Sequence, residues 1–356
     1  MIVIIGASPL SIYLGLILKK HSIPFKIIDR RPSLPTSWMT EGTWWPAPLD
    51  PPTRIQVAHG PEIKTYLLEF YKKSLKNFRS QIPESFFQEI PCVRRAFEDF
   101  EIREMEKCGY KHKNTYGTTI DYKENVGLVC TKAQAFQNWI ESELKDYMIF
   151  NETLQNIEES TSKVMLQYQN TTQKADIVIL AGGREAQKFF PHLKNVLASV
   201  KNRQDKYHFI GTGLQFENEM VRAYRGASGN WTLSMRYGKS RDDKEINLED
   251  CQSLTTTGPT YFSHNEDKTL HFFKTKFRFF DKYVRVSTRT YQEIWPCDEL
   301  PLLGEFGHHG RILGSCGWLG TGVTAQYQAS LILWDILKTG RSSDLHPLLT
   351  PRRFLN

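Results

Sequence analysis

The chain has 356 residues and six cysteines, and no two cysteines stand in a C-x-x-C pair. Zinc ribbons and thioredoxin-like redox motifs use that spacing, so neither is read here, and no metal is expected. No apolar stretch reaches about 18 residues, so no membrane-spanning helix is expected. Charge never runs long in one sign, although the net charge is +7. Such a surface favours anions only mildly. Without a zinc-knuckle or RNA-binding signature beside it, nucleic acid is not an expected partner. Met1 leads straight into an apolar run with no basic segment ahead of it, so no secretory signal is read. Unpaired thiols then suit a reducing cytoplasm. Repeats and low-complexity tracts are also missing. What remains has ordinary soluble composition, 40% hydrophobic and 24% charged, with 12% aromatics including eight Trp.

Ile2–Ile5 is wholly apolar and reads as a buried parallel strand. After it comes Gly6-Ala7-Ser8-Pro9-Leu10-Ser11, then an apolar-periodic segment to Lys20. Phe25–Ile28 is a second strand ending in Asp29, so the chain opens on a βαβ unit. Pro61–Leu75 and Lys132–Tyr147 pattern as amphipathic helices, the second capped by Thr131. Ala175–Leu180 is another buried strand. Alternating runs at Trp231–Tyr237, Tyr261–His264, Thr269–Lys276 and Lys282–Thr288 predict an antiparallel sheet in a second domain. Arg311–Gly314 reads as a short strand before a glycine-rich turn. A helix over Thr324–Lys338 follows, ending near Gly340.

Three motifs carry chemistry. The first is Gly6-x-Ser8-x-x-Ser11 with Asp29 beyond it. The dinucleotide fingerprint has glycine at all three positions, for the tight turn, for close approach of pyrophosphate, and for helix–strand packing. Gly6 keeps the turn. Ser8 and Ser11 are small, and a hydroxyl can donate to phosphate at a helix N-terminus. Asp29 is placed to accept from ribose hydroxyls. Arg30 and Arg31 touch phosphate or are surface charges, and the sequence leaves both open. The second motif is the apolar strand from Asp176 into Ala181-Gly182-Gly183, which allows close backbone approach to a ligand. The third is an array: Asp298-Glu-Leu-Pro301-Leu-Leu-Gly304, then Gly317-Trp-Leu-Gly320-Thr-Gly322-Val323, then Pro351-Arg-Arg353-Phe.

The order and spacing of these motifs resemble the D-amino-acid-oxidase-like flavoproteins, which include glycine and sarcosine oxidases. The resemblance implies an α/β fold, with a glutathione-reductase-type Rossmann FAD-binding domain and a second, antiparallel-sheet substrate domain. Residues 1–55, 131–186 and 300–356 would form the first, and 56–130 and 187–299 the second. It implies FAD as cofactor. Gly6, Ser8 and Ser11 would face its pyrophosphate, and Asp29, with Arg30 adjacent, its adenosine. Gly42, Thr43 and Trp45 would run beside the flavin. Gly182 and Gly183 would pass near the pyrophosphate. Gly317, Gly320, Gly322 and Val323 would wrap the pyrimidine end of the ring. Cys297 and Cys316 do not stand where relatives tether flavin, so FAD is expected to be non-covalent and both thiols buried or inert.

The implied reaction is hydride transfer from the carbon of a C–N bond in an amine or amino acid to flavin, and no side-chain base is required. A substrate carboxylate would need an arginine. Arg289, Arg285 and Arg236 are the candidates, although Arg289 lies nine residues before Asp298, too far for a gapless match to the family. Tyr261 is a further pocket candidate. Trp318 faces the substrate or packs over the turn. His308-His309 reads as loop. Two other readings stay open. Tyr207 to Gly211-Thr-Gly213 resembles the second nucleotide unit of flavin monooxygenases and reductases, which would add NADPH. The serines also allow a fold that binds without turning over. Oligomeric state is not legible.

Overall fold

The computed structural model describes residues 1–32, 43–47, 52–96, 99–107, 109–116, 119–130, 132–183, 188–190, 193–210, 220–225, 231–236, 251–259, 283–318 and 322–354. The chain opens with β1 (Ile2–Ile5), α1 (Pro9–Lys20) and β2 (Phe25–Ile28). Next come β3 (Thr43–Trp44), α2 (Pro52–His59), α3 (Pro61–Gln81), β4 (Phe87–Ala96), α4 (Asp99–Lys107), β5 (His112–Tyr116) and β6 (Thr119–Cys130). The middle holds α5 (Ala133–Leu144), β7 (Met148–Ile149), β8 (Leu154–Glu159), β9 (Val164–Tyr168), β10 (Thr172–Ala175) and β11 (Ile177–Leu180). Long strands follow: β12 (Leu197–Ile210), β13 (Met220–Arg225), β14 (Trp231–Arg236), β15 (Cys251–Pro259) and β16 (Tyr283–Pro296). The described elements close with β17 (Leu302–Glu305), β18 (Ile312–Cys316) and α6 (Gly322–Thr339).

A six-stranded sheet, in the order β17-β18-β11-β1-β2-β7, is parallel except for the β17–β18 hairpin. β1 is apolar throughout because both its faces are covered. Ile2 and Ile4 enter one core with α1, α3, α5 and α6, while Val3 and Ile5 enter a second. That second core receives Leu154, Val164, Leu166 and Tyr168 from the three-stranded antiparallel sheet β10-β9-β8. One sheet thus separates two cores. Gly15 lets α1 lie close on β2: a Cβ there would sit 3.2 Å from both Ile27 and Phe25.

The third sheet runs β16-β12-β15-β14-β13-β4-β6-β3, with β5 on β6, and is antiparallel except where β13 meets β4. The antiparallel sheet expected from alternation is present. Its runs at 261–264 and 269–276 lie outside the described residues. β12 pairs antiparallel with both β15 and β16. A βαβ nucleotide unit needs a parallel neighbour, so β12 does not open one, and the second-nucleotide reading loses its strand. Gly211 and Gly213 lie outside the described residues.

Other expectations shift locally. The strand read over Ala175–Leu180 breaks at Asp176, whose carboxylate holds the Met1 ammonium and Lys163. Residues before the break join the three-stranded sheet and those after it the parallel one. The helix read to Tyr147 ends at Leu144 and tightens into a 3-10 turn, and its N-cap is Lys132, without a side-chain cap bond. Thr131 lies outside the described residues.

Candidate functional site

The turn from β1 to α1 sits at the carboxyl end of the parallel sheet, where open α/β sheets bind ligands. Gly6 has φ +98°, and a Cβ on it would come 2.7 Å from Gly182 Cα. Only two glycines let the ends of β1 and β11 approach this closely. Gly183 has φ +61° with open space around it. The next three positions lack free backbone donors. Ala7 N–H donates to Asp29 Oδ2 at 2.6 Å, and Ser8 N–H donates to Ser11 Oγ at 2.7 Å. Pro9, at the first helical position, has no N–H. The Ser11 hydroxyl donates back to the Ser8 carbonyl at 2.7 Å, and Ser11 is fully buried. Ser11 was expected to face pyrophosphate; instead it braces the turn from beneath.

One atom is left over. The buried Ser8 Oγ has no hydrogen-bond partner. An unpaired buried hydroxyl is costly, and a phosphate oxygen would satisfy it. Asp29 is buried, and burial pushes its carboxyl up. Hydrogen bonds from the Arg31 side chain and from the Ala7 and Arg31 N–H groups, with the guanidinium charge, outweigh that and hold it below the ordinary value. Arg30 lies on the surface.

At the other end, three segments meet. Trp44 Nε1–H donates to the Tyr13 hydroxyl at 3.2 Å, and Tyr13 O–H reaches the Val323 carbonyl at 3.5 Å. The Thr43–Ala47 segment, α1 and the start of α6 are thereby joined. Ser74 of α3 enters the first turn of α6. Its hydroxyl donates to the Thr324 carbonyl and accepts from Gln328 N–H at 3.0 Å. Those two backbone groups would ordinarily bond each other. Gln326, 8% exposed, leaves its Oε1 without a partner. Its amide lies against the start of α6, with Nε2 4.0 Å from where a Cβ on Gly322 would stand. Sequence reasoning passed over Gln326, Tyr13 and Trp44. The legible signal for Gln326 was a polar residue one turn after Gly322 on a helix of buried positions.

The C-terminal array is mostly a clasp. Arg353 bonds Asp298 through Nε (2.7 Å) and a terminal nitrogen (3.1 Å), and the Leu300, Pro301 and Thr350 carbonyls at 2.6, 3.2 and 3.4 Å. All five guanidinium N–H groups are used. Pro296 packs beneath Gly317, whose φ is +78° and where a Cβ would meet Pro296 Cγ at 2.5 Å. Trp318 is buried, stacked on Phe70 at 5.1 Å, with its N–H on Ser315 Oγ at 2.6 Å. It packs over the turn, and the substrate-facing option for Trp318 fails because both its face and its donor are occupied.

Trp45 is buried against Ile90 and Cys92. Cys316 is buried, and burial pushes its thiol up to about 12. Cys297, read as inert, is exposed. Backbone N–H groups of His308, His309 and Arg311 converge on the Glu159 carboxylate at 2.6, 3.1 and 2.8 Å. That loop is an anion nest filled by the chain itself. Arg236 is paired in register with Ser253 on β15, and Arg289 with Gln204 on β12. Three strand spacings, about 14 Å, separate their strands, with a further offset along them. They are therefore alternatives and not a pair on one small carboxylate. Gly42, Tyr261 and Gly320 lie outside the described residues. Among the described residues no cluster of three or more His, Cys, Asp or Glu could hold a metal, and no helix is long and apolar enough to cross a membrane.

The parallel core sheet, its antiparallel companions and the glycine-lined strand ends define a two-part α/β fold. No family model matches the chain, and no curated protein does. Solved structures do. L-amino acid deaminase from Proteus myxofaciens, in complex with anthranilate, aligns with a TM-score of 0.70 at 13% identity, over 99% of this chain and 93% of that one. Glycine oxidase from Geobacillus kaustophilus aligns at 0.68 and 14%, over 98% and 97%. L-proline dehydrogenase from P.horikoshii aligns at 0.68 and 14%, over 99% and 97%. At 13–14% identity these matches show a shared fold, and it is the fold that the motif resemblance implied.

Proposed function

We propose that this chain is an FAD-dependent oxidoreductase acting on a C–N bond of a small amine or amino acid. The observation that carries the reading is the pair of unpaired buried polar atoms, one in each part of the expected site. Ser8 Oγ can donate to a phosphate, and Gln326 Oε1 can accept from a ring N–H. A flavin dinucleotide presents both groups, so the residues fit it. The structural neighbours, an L-amino acid deaminase, a glycine oxidase and an L-proline dehydrogenase, support a C–N bond as the reacting one.

In this reading Gly6, Gly182 and Gly183 admit the pyrophosphate, and Ser8 Oγ with the remaining N–H groups at the start of α1 hold it. Asp29 takes the ribose. The start of α6, from Gly322 and Val323, with Gln326, holds the pyrimidine end. The positive N-terminal end of its dipole would stabilise negative charge there. When bound, FAD would supply the electron sink for hydride from the amine carbon. Arg289 or Arg236 would orient a carboxylate from the third sheet, where residues 56–130 and 187–299 contribute the substrate side.

Burial of Cys316 keeps it from serving as a tether, which favours non-covalent FAD, and free thiols favour a reducing compartment such as the cytoplasm. The test is the visible spectrum of purified protein, then anaerobic mixing with an amine and amino-acid panel and with NADPH. A flavin spectrum bleached by a panel member supports the reading. Bleaching by NADPH alone overturns the oxidase reading. Protein that stays colourless and takes up no added FAD overturns the cofactor.

A further inference from the structure

Asp29 is already full. Its Oδ1 accepts from the Arg31 N–H and Nε, both at 2.8 Å. Its Oδ2 accepts from the Ala7 N–H and a terminal Arg31 nitrogen, both at 2.6 Å. A carboxylate offers about four such sites, so none remains for a ribose hydroxyl. Two of the four donors are fixed. The Ala7 N–H belongs to the buried turn, and the Arg31 N–H is held by the local backbone. The guanidinium is the part that can move, because the Arg31 side chain is 43% exposed while that of Asp29 is 3%. It also donates to the Ala7 carbonyl at 3.1 Å, so it lies across the turn that a nucleotide would approach.

We propose that Arg31 gates the nucleotide end of the site. Its guanidinium stands in the place of the adenosine ribose and must swing off Asp29 before a dinucleotide seats. The inference rests on the FAD reading and adds a competition to it. Ligands that carry adenosine contend with Arg31, whereas FMN, which lacks adenosine, does not. FAD is then held less tightly than the site's other contacts allow.

The experiment titrates apoprotein with FAD, ADP and FMN, for the wild type, Arg31→Ala and Arg31→Met. Charge-assisted bonds of this kind carry about 1.5–3 kcal/mol, so the variants are expected to bind FAD and ADP roughly tenfold or more tightly. FMN affinity should not change. Urea midpoints establish that the variants are folded. Wild type that binds FAD, with variants that bind it no more tightly, overturns the gate alone. Folded proteins that bind neither FAD nor ADP overturn the cofactor reading and the gate with it. The wild type also gives a readout that needs no variant. The Arg31 Nε–H should exchange slowly in apoprotein and faster on saturation with ADP, and unchanged exchange counts against the gate.

Discussion

At the scale of single residues, charge and backbone conformation set the strongest constraints. The folded Asp29 carboxyl lies below its unfolded value, so its stabilising effect is complete above the ordinary carboxylate range, about pH 4, and disappears as pH falls through the folded value. Arg31→Ala removes the largest of the interactions that lower it, the side-chain hydrogen bonding, together with the guanidinium charge. Urea midpoints of wild type and Arg31→Ala should therefore differ clearly near about pH 7 and converge as pH falls through the folded Asp29 value. Arg353→Ala removes five hydrogen bonds, leaving Asp298 only the Leu300 N–H and the Thr350 carbonyl only the backbone N–H of residue 353, and a loss of about 3 kcal/mol is expected from urea unfolding with an unchanged m-value. Gly6→Ala combines a left-handed φ with a backbone collision, so the φ alone should destabilise by about 1–3 kcal/mol. Gly6, Asp29 and the glycine pair were legible because their chemistry is local to the β-turn-α pattern. The saturation of Asp29 was not, since it depends on which way the Arg31 side chain folds back.

At the scale of elements, α6 depends on its neighbour. Ser74 of α3 takes the place of a helical hydrogen bond in the first turn of α6, so two helices share one turn. Ser74→Val should leave the Thr324 carbonyl and Gln328 N–H to re-pair and draw α6 away from α3. A stability loss of about 1–3 kcal/mol is expected from chemical denaturation. The start of α6 should also move, read as altered fluorescence of Trp318, which packs on Phe70 of α3. Periodicity showed that both helices exist. It did not show the insertion, because a lone serine on a helix has no sequence signature for its partner. The split of β10 from β11 was hidden for a similar reason: one continuous extended run serves two sheets, and the break comes from ion pairs at Asp176 made by distant residues.

At the scale of the molecule, the parallel sheet with a core on each face was readable from the unbroken apolar β1, since only a strand covered on both sides carries no polar residue. The third sheet was readable as antiparallel but not in its order, because alternation reveals the face of a strand and not its neighbours. On the proposed reading, the nucleotide end would draw on residues 6–31 and 182–183, and the ring end on residues 13, 44, 74 and 322–328. A ligand spanning both should couple them. FAD at 100 times its dissociation constant should add about 2.7 kcal/mol, seen as a rise in melting temperature that depends on FAD concentration. ADP should give part of that rise and riboflavin a smaller part.

The clasp between Arg353 and Asp298 has a consequence for how the molecule is made. β1, α1 and β2 leave the ribosome first, yet β11 stands between β1 and β18, and α6 covers α1. A nascent chain synthesised only as far as β11 has four of the six strands of the sheet but neither the β17–β18 hairpin nor α6. The part of the apolar face of α1 that α6 covers then waits while the long strands β12 to β16 are translated. Arg353 reaches Asp298 across 55 residues and locks the last wall in place. Chaperone demand should fall on that interval, and shortened nascent chains that stop before β18 should be open to protease where longer ones are not.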